Sequence, residues 1–275
     1  MKKFVTLMLA LTMVFALCAC SAQSAAPAAD DNVIILGTSA DYAPFEFMYP
    51  GDNGEMVYGG IDVFAAGYIA EAMGKELKVE NMAFDYLLAS LQKGDYDMVM
   101  AAMESTEERL NAADFSDPYY TDKPAMILIK ADKVDEFTTL ESFEGLSVAA
   151  QTGTTKEGVV ADYLTGANLV SIQNVNDIVN QLVNDKIDAA VLDGSVAENF
   201  AETNADLAIA SASELLPAAD PYCVAVAKGD PKGLLPAINE AIAKMNAENK
   251  MDEFVEQAAA LSDVAELVSA DAPAA

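Results

Sequence analysis

The chain repeats a helix-turn-strand segment at a fixed offset, and this repeat constrains its fold more than any other feature. The segment FDYLLASLQKGDYDMVM begins at Phe84, and VNDIVNQLVNDKIDAAV begins 91 positions later, at Val175. The matched residues of the two copies are Phe84, Leu87, Leu88, Leu91 and Asp97, and Val175, Ile178, Val179, Leu182 and Asp188. The apolar members recur at i, i+3, i+4 and i+7, the spacing of one buried helix face. Because the match holds in one register without an insertion, it predicts two lobes of similar build.

The first 19 residues have the pattern of a bacterial signal peptide. Lys2 and Lys3 precede an apolar run over residues 4–16, which is too short to span a bilayer. The sequence LCAC at 17–20 is similar to the bacterial lipobox, in which cleavage exposes a cysteine that then carries lipid. We therefore expect a signal peptide over residues 1–19 and lipidation of Cys20. The alternative is plain secretion, with cleavage near Ala19.

Length and local composition divide the remainder of the chain. Residues 20–32 are small, polar and Pro-containing, which predicts a flexible lipoprotein tether. The following residues suffice for two domains of about 120 residues, each with its own core. We expect lobe one to comprise residues 33–121 and 223–267, and lobe two to comprise 122–222 with both hinge crossings. Residues 268–275 are expected to form a disordered tail.

Composition excludes several classes of function. A formal net charge of −29 repels phosphate backbones, so no nucleic-acid partner is expected. The absence of histidine from the sequence excludes a His-based catalytic triad and a His-ligated metal, and we expect no metal and no cofactor. It also predicts an affinity that is flat between about pH 5.5 and 8, where no side chain with an ordinary pKa titrates. Cys223, within an apolar run, is expected to be buried.

Short apolar strands alternate with amphipathic helices, which predicts the α/β class with parallel, doubly wound sheets. Strands are predicted at 33–36, 78–82, 97–101, 125–130, 147–150, 169–172, 189–192 and 224–227. Asp62 is expected to cap a helix that runs to Gly74, and STEE at 105–108 has the pattern of a capping box. Residues 115–120, which include Pro118, are expected to interrupt the pattern before the chain crosses into lobe two. A return crossing is expected at 217–222.

The residues after the predicted strands form a set that suits a zwitterion. Ligands of open α/β sheets bind beyond the carboxyl ends of the strands. An arginine there, Arg109, can grip a carboxylate through two parallel hydrogen bonds, and Asp193 can accept from an ammonium. Tyr42 and Phe84 can enclose an apolar stem. Taken singly, each has a structural interpretation as a solvated side chain, a helix cap or core, and spacing alone does not bring them together.

Several segments in order resemble a known family. They are GTSADYAPFEF, GGIDVF, AFDYLLASLQKGDYDMVMAAM, STEER, DFSDPYY, QTGTT, KIDAAVLD and PYCVAVAKGDP. Over about residues 33–260 the chain is similar to the extracellular solute-binding proteins, family 3 type, of polar amino-acid ABC importers. The resemblance implies two doubly wound α/β lobes joined by two hinge strands, the periplasmic-binding-protein-like fold of type II, closing on one amino acid.

The resemblance also implies roles for individual residues. Arg109, in STEER, resembles the arginine that clamps the ligand α-carboxylate, and Thr155 resembles the residue whose backbone amide assists it. Asp193 resembles the acid that accepts from the ligand α-ammonium. The remaining matches are the aromatic pair that flanks the ligand side chain, Tyr42 and Phe84, a position that uses its backbone carbonyl, Ala102, and a variable selectivity position, Gln151.

Two departures from the family pattern leave open which kind of ligand side chain is preferred. Glu104 stands where the family often has Ser or Thr, and its carboxylate either competes with the ligand carboxylate for Arg109 or faces a cationic group. Ser39 stands where binders of basic amino acids often carry an acid. Whether Asp41, two residues on, replaces that acid stays open.

Together these features predict a monomeric, lipid-anchored extracytoplasmic binding protein that catalyses no reaction. It would capture a polar or charged amino acid by lobe closure and deliver it to the transmembrane subunits of an ABC permease. The alternative is a secreted enzyme on the same fold, similar to a cyclic-carboxylate dehydratase, with Glu104 as a general acid of raised pKa. Asp193 is expected to separate the two, because a carboxylate-only substrate would leave it unpaired.

Overall fold

The computed structural model describes residues 32–270, and side chains as far as residue 262. The first of two five-stranded sheets contains β1 (Val33–Thr38), β4 (Glu76–Asn81), β5 (Met98–Val99), β6 (Ala113–Tyr120) and β12 (Tyr222–Ala227). Its strand order is β4-β1-β5-β12-β6. The strands β2 (Phe47–Pro50) and β3 (Met56–Gly59) pair with each other as a hairpin and not with this sheet. We call the part of the molecule built on this sheet lobe one.

The second sheet, which defines lobe two, repeats this arrangement. It contains β7 (Met126–Lys130), β8 (Ser147–Gln151), β9 (Asn168–Ile172), β10 (Ala189–Leu192) and β11 (Leu207–Ile209), in the order β11-β7-β10-β8-β9. β1 pairs in parallel with β4 and β5, as β8 does with β9 and β10. However, β12 and β7 are antiparallel to their neighbours, so the prediction of wholly parallel sheets is wrong. Each of these two strands enters its sheet from the other lobe rather than through a helical crossover within it.

Helices cover the sheets and carry several of the site residues. Thr106 caps one of them, because its Oγ1 accepts a hydrogen bond from the backbone N–H of Arg109 at 3.2 Å. Asn174 caps another in the same way, accepting from the N–H of Asp177 at 3.2 Å. The helices are α1 (Ile61–Ala72), α2 (Leu87–Lys93), α3 (Glu107–Ala112), α4 (Thr155–Tyr163), α5 (Val175–Val183), α6 (Gly194–Thr203), α7 (Leu235–Ala247) and α8 (Lys250–Ala270). Short 3-10 turns lie at Phe84–Tyr86, Ala131–Lys133, Leu140–Phe143 and Ser211–Leu215.

The sequence repeat corresponds to a structural repeat. Asp97 precedes β5, and its Oδ2 accepts from the backbone N–H of Ile35 in β1 at 2.7 Å. Asp188 precedes β10, and its Oδ2 accepts from the backbone N–H of Ser147 in β8 at 2.9 Å. The N–H of each aspartate also donates to the carbonyl of the same partner, at 2.9 Å in both lobes. The prediction of two lobes with a common build is confirmed.

Two local predictions are wrong. Gly60, and not Asp62, is the N-cap of α1, and the Asp62 carboxylate is buried and turned to other partners. Residues 115–120 do not interrupt the sheet but form most of β6. Pro118 is tolerated because β6 is the edge strand of its sheet, and the register with β12 shifts at Cys223, opposite Pro118.

The chain passes between the two sheets over residues 121–125 and 216–221. One apolar core cluster includes residues of both lobes, among them Leu36 and Ile178. Cys223 is buried, as expected, and its burial raises the pKa of the thiol.

Residues 1–31 and 271–275 lie outside the described residues. The predicted signal peptide, Cys20, nearly all of the tether and the end of the predicted disordered tail fall there. Between residues 32 and 270, no helix combines the length and the apolar character that crossing a membrane requires.

Candidate functional site

The structure places the predicted ligand-binding residues at or after the ends of strands in the two sheets, and contacts between the lobes bring most of them together. These residues follow or end parallel strands: Tyr42 after β1, Phe84 after β4, Ala102, Glu104 and Arg109 after β5, Gln151 and Thr155 at and after β8, and Asp193 after β10. Hydrogen bonds connect the lobes directly, from Tyr42 to Asp193 and from Thr155 to Glu104. Residues at the carboxyl ends of strands in the two lobes are therefore brought together, as the strand-end rule predicts.

Arg109 is held by partners from both lobes. Its Nη1 donates to the backbone oxygen of Glu104 at 3.0 Å and to Oε2 of the same residue at 2.8 Å. Its Nη2 donates to the backbone oxygen of Gly153, in lobe two, at 3.1 Å. The guanidinium lies 5.2 Å from the centre of the Phe84 ring, within the range of a cation–π contact. The orientation of this buried cation is therefore fixed by Phe84 and by hydrogen bonds on two sides.

Glu104 and Lys156 form an ion pair in the middle of the cleft. Oε1 of Glu104 lies 2.6 Å from Nζ of Lys156 and accepts from the Thr155 hydroxyl at 2.8 Å. Relative exposure is 5% for Glu104, and Lys156 is also buried. Glu104 therefore contacts Arg109 and also faces a second cation, Lys156, which the protein itself supplies.

Asp193 completes this arrangement from lobe two. Its Oδ1 accepts from Nζ of Lys156, and its Oδ2 accepts from the Tyr42 hydroxyl at 2.6 Å. The backbone N–H of Asp193 donates to the same hydroxyl oxygen at 3.1 Å. Arg109, Glu104, Lys156 and Asp193 thus form a continuous, buried line of alternating positive and negative charges, which we call the charge row.

The pKa values in the charge row favour the ionised forms of Glu104 and Lys156. Burial by itself would raise the pKa of Glu104, but Lys156 and Arg109 outweigh it and lower that pKa to about 2. Burial would lower the pKa of Lys156, but Asp193 and Glu104 outweigh it and raise that pKa above its ordinary value. The pKa of Asp193 is raised, chiefly by burial and also by Glu104, while Lys156 opposes the change.

Asp41 of lobe one and Gln151 of lobe two lie at another side of the cleft. Gln151 Nε2 donates to the backbone oxygen of Gln173 at 3.0 Å. Asp41 Oδ2 accepts at 2.8 Å from the backbone N–H of Val175, the first residue of α5, and Oδ1 accepts from the Ser39 hydroxyl at 3.0 Å. Since negative charge is favoured at a helix N-terminus, Asp41 supports a contact between the lobes.

The backbone of Ala102 is held by one buried carboxylate, that of Asp62. Its φ is 46°, which is uncommon for a residue with a side chain, and its N–H donates to Oδ2 of Asp62 at 2.7 Å. Tyr119 donates its hydroxyl to Oδ1 of Asp62 at 2.7 Å. Burial raises the pKa of Asp62 to about 6, and burial and the charge of Asp62 raise that of Glu46 well above its ordinary value. The pKa of Asp62 thus lies between about pH 5.5 and 8, the range in which no side chain of this composition has its ordinary pKa.

Two residues of the site were not predicted from the sequence. Lys156 occupies the first turn of α4, where the helix dipole disfavours a cation, and this unusual position was the available indication. Tyr222 lies in the apolar strand β12 and forms an isolated bridge with Glu104. Its hydroxyl is buried and has no hydrogen-bond partner among the described residues. Nothing in the local sequence of β12 indicated this.

A cavity of about 750 Å³ adjoins the charge row and is lined from both lobes. Phe84, Arg109 and Thr155 reach it from the site, and Gly153 and Gly158 line it from lobe two. Its size is in the range of small-molecule sites. Arg109 is the member of the charge row that lines this cavity.

A two-lobed α/β protein with a buried, charged cleft between its lobes is a binding protein in its architecture. The sequence profile of the bacterial extracellular solute-binding proteins, family 3, matches residues 34–259. The chain belongs to this family, and the resemblance found in the sequence is confirmed. It is 34% identical over 209 residues to the arginine-binding extracellular protein ArtP of Bacillus subtilis, covering 75% of this chain and 79% of that protein.

A solved structure supports the same fold. An amino-acid ABC transporter substrate-binding protein from Streptococcus pneumoniae, bound to L-arginine, superposes with a TM-score of 0.78 and 36% identity. The match covers 84% of this chain and 95% of that chain. The predicted two-lobed fold of the type II binding proteins is confirmed.

The chain is a solute-binding protein and not an enzyme. One similar structure is an ancestral amino-acid-binding protein described as a precursor of cyclohexadienyl dehydratase, with a TM-score of 0.72 and 30% identity, covering 82% of this chain and 95% of that chain. The enzymatic alternative required a Glu104 of raised pKa, whereas Lys156 and Arg109 outweigh burial and lower that pKa to about 2. Glu104 therefore carries no proton to donate near neutral pH. Asp193 does not separate the alternatives as expected, because Lys156 already pairs with it.

Proposed function

We propose that this chain is a lipid-anchored extracytoplasmic binding protein that captures a polar or charged α-amino acid and delivers it to an ABC permease. Arg109 would bind the α-carboxylate, assisted by the backbone amide of Thr155, and Asp193 would bind the α-ammonium. Tyr42 and Phe84 would flank the ligand side chain. Since Arg109 and Asp193 belong to different lobes, the ligand would be held only when the lobes close.

One observation carries this proposal: Arg109 and Asp193, of opposite charge and from opposite lobes, lie in the same buried charge row. An arginine whose guanidinium is already oriented by Phe84 and Gly153 needs little further ordering to grip a carboxylate. A buried aspartate surrounded by donors matches an ammonium. The pair therefore suits both ends of a zwitterion.

The relatives support the class of ligand. Similar curated proteins are named for arginine in Bacillus subtilis and Escherichia coli, for histidine in Neisseria gonorrhoeae, and for glutamine in Bacillus subtilis. All three are polar amino acids, and two of them carry or acquire positive charge. Glu104 and Asp41 add negative charge near the cleft, which favours a ligand with a polar or cationic side chain.

Anchoring and delivery follow from the leader and the family. The LCAC sequence at 17–20 supports an acylated Cys20 as the mature N-terminus, and the tether over 20–32 would let the binding domain reach the transmembrane subunits of a permease. No partner of the same kind is needed for the site, because one chain supplies both of its lobes. We therefore propose a monomer.

A thermal-shift screen of the mature protein, solubilised in detergent, against the twenty amino acids tests this function. A ligand present at 100 times its dissociation constant stabilises a protein by about 2.7 kcal/mol. We expect stabilisation by one or a few polar or charged L-amino acids, and none by their D-enantiomers. Failure of every amino acid to raise the unfolding temperature would contradict the proposal.

A further inference from the structure

The charge row contains both halves of an amino acid, supplied by the protein itself. The Glu104 carboxylate lies 2.8 Å from the Arg109 guanidinium, which is the contact that a ligand α-carboxylate would make. The Lys156 ammonium contacts the Asp193 carboxylate, which is the contact that a ligand α-ammonium would make. The two groups are also joined to each other, with 2.6 Å between Oε1 and Nζ.

From this arrangement, and on the basis of the function proposed above, we infer that Glu104 and Lys156 are a built-in competitor for the ligand. They occupy Arg109 and Asp193 as an internal zwitterion, and an amino acid binds only by displacing them. Glu104 and Lys156 thus set the affinity of the site for every α-amino acid, whatever its side chain.

The geometry explains how such an exchange can occur without leaving a charge unpaired. An amino acid brings one carboxylate and one ammonium, and it displaces one of each. Once displaced, Glu104 and Lys156 keep each other as partners, so no buried ion is left alone. This matters because a buried charge left without a partner is strongly destabilising. A ligand with a carboxylate but no ammonium would displace only Glu104 and would leave the exchange unbalanced.

Attachment to the chain makes the competitor effective. A tethered group acts at an effective concentration in the millimolar range for a short flexible link, and rigid positioning raises it further. Lys156 is rigidly positioned, since it is the second residue of α4 and its Nζ also lies 3.1 Å from Oγ1 of Thr155. The row also joins the lobes, because Glu104 and Arg109 belong to lobe one and Lys156 and Asp193 to lobe two. The internal pair therefore stabilises the closed arrangement.

Calorimetric titration of the full chain with L-arginine and L-glutamine tests the inference. The main variant is the double substitution Glu104→Thr with Lys156→Gln, which removes one charge of each sign and leaves Arg109 and Asp193. Lys78→Gln is the matched control, since Lys78 is exposed and pairs only with the exposed Glu80 among the described residues. Circular dichroism checks that each variant is folded.

We expect the double variant to bind the preferred amino acid at least tenfold more tightly than the wild type, and Lys78→Gln to bind it unchanged. The single variant Glu104→Thr should tighten 5-guanidinopentanoate, the analogue that lacks the α-ammonium, but not L-arginine, because L-arginine would displace Lys156 from Asp193 and leave it without a partner. Unchanged or weaker binding of both amino acids by the double variant would overturn the inference.

A second readout separates this inference from the proposed function. Small-angle X-ray scattering without amino acid should give a larger radius of gyration for the double variant than for the wild type, because the internal pair no longer joins the lobes. If no amino acid binds to either protein, the proposed function fails, and the scattering still decides whether the pair holds the lobes. Equal radii of gyration would overturn the role of the pair.

Discussion

Tyr42 and Asp193 form two hydrogen bonds with each other across the cleft. The Tyr42 hydroxyl donates to Oδ2 of Asp193 at 2.6 Å and accepts from the backbone N–H of Asp193 at 3.1 Å. Burial, and then the negative charge of Asp193, raise the pKa of Tyr42 well above its ordinary value, so the hydroxyl keeps its proton. One phenol thus links the end of β1 in lobe one to the end of β10 in lobe two.

Replacing Tyr42 with Phe should weaken the binding of every amino acid ligand to a similar degree. A hydrogen bond to a charged group contributes about 1.5–3 kcal/mol, which corresponds to roughly tenfold to a hundredfold in affinity. Calorimetric titration measures the effect. Tyr86→Phe is the control, because Tyr86 is 54% exposed. Equal affinities of Tyr42→Phe and the control would contradict a role in lobe closure.

Tyr222 and Tyr119 should respond in opposite directions to the same substitution. Tyr222→Phe removes a buried hydroxyl without a hydrogen-bond partner among the described residues, and should raise the free energy of unfolding by roughly 1 kcal/mol. Tyr119→Phe removes the donor to Asp62 and should lower it by about 1–3 kcal/mol. Urea unfolding of both variants provides the comparison. A destabilised Tyr222→Phe would show that its hydroxyl has a partner in solution.

Stability should be highest on the acid side of neutrality. Burial raises the pKa of Asp62 from 3.8 to about 6, so between about pH 4 and 6 the folded state binds more protons than the unfolded state. The free energy of unfolding therefore falls as the pH rises through this window, by roughly 3 kcal/mol for Asp62 alone. Glu104 acts oppositely: Lys156 and Arg109 outweigh burial and lower its pKa from 4.5 to about 2, so stability rises with pH below about 4.5.

Urea unfolding between pH 3 and 8 should thus give a maximum near pH 4 to 5. Asp62→Asn should flatten the decline on the neutral side, because it removes the titrating group while keeping one acceptor oxygen. Asp52→Asn serves as a control, since Asp52 is exposed. A stability that climbs steadily from pH 4 to 7, or an unchanged slope in Asp62→Asn, is incompatible with a raised pKa for Asp62.

Cys20→Ala should release the protein from the membrane. Without the cysteine, the LCAC sequence at 17–20 offers no site for acylation, and a polypeptide without its lipid retains only weak surface attachment. Fractionation followed by immunoblotting measures the distribution, and Cys18→Ala is the control because Cys18 lies within the predicted signal peptide. Full retention of Cys20→Ala in the membrane fraction would place the anchor elsewhere in the chain.

The sequence predicted the lobes because their signals are local. Asp97 and Asp188 end matched helix-turn segments, and each performs the same task of joining its strand to a neighbour. The strand-end rule and the family resemblance then named the residues that converge from both lobes. The direction of the strands was harder to predict from the sequence, because the antiparallel pairing of β7 and β12 depends on where the chain crosses between the sheets.

The content of the charge row could not be read from the sequence, because it depends on pairs distant along the chain. Glu104 and Lys156 are 52 positions apart, and neither residue alone indicates the other. The sequence predicts a helix cap at Asp62, because aspartate is a preferred residue at the start of a helix. Its carboxylate instead bonds the backbone of Ala102, 40 positions away, which no local pattern specifies.

The most direct test of the account is the affinity of Arg109→Ala for the amino acid that stabilises the wild type. Loss of the guanidinium leaves a desolvated ligand carboxylate unpaired, which costs about 3–5 kcal/mol. Isothermal titration calorimetry should therefore show at least a hundredfold weaker binding, with circular dichroism confirming that the variant is folded. A loss of less than tenfold would contradict the assignment of Arg109 as the carboxylate clamp, and with it the proposed mode of binding.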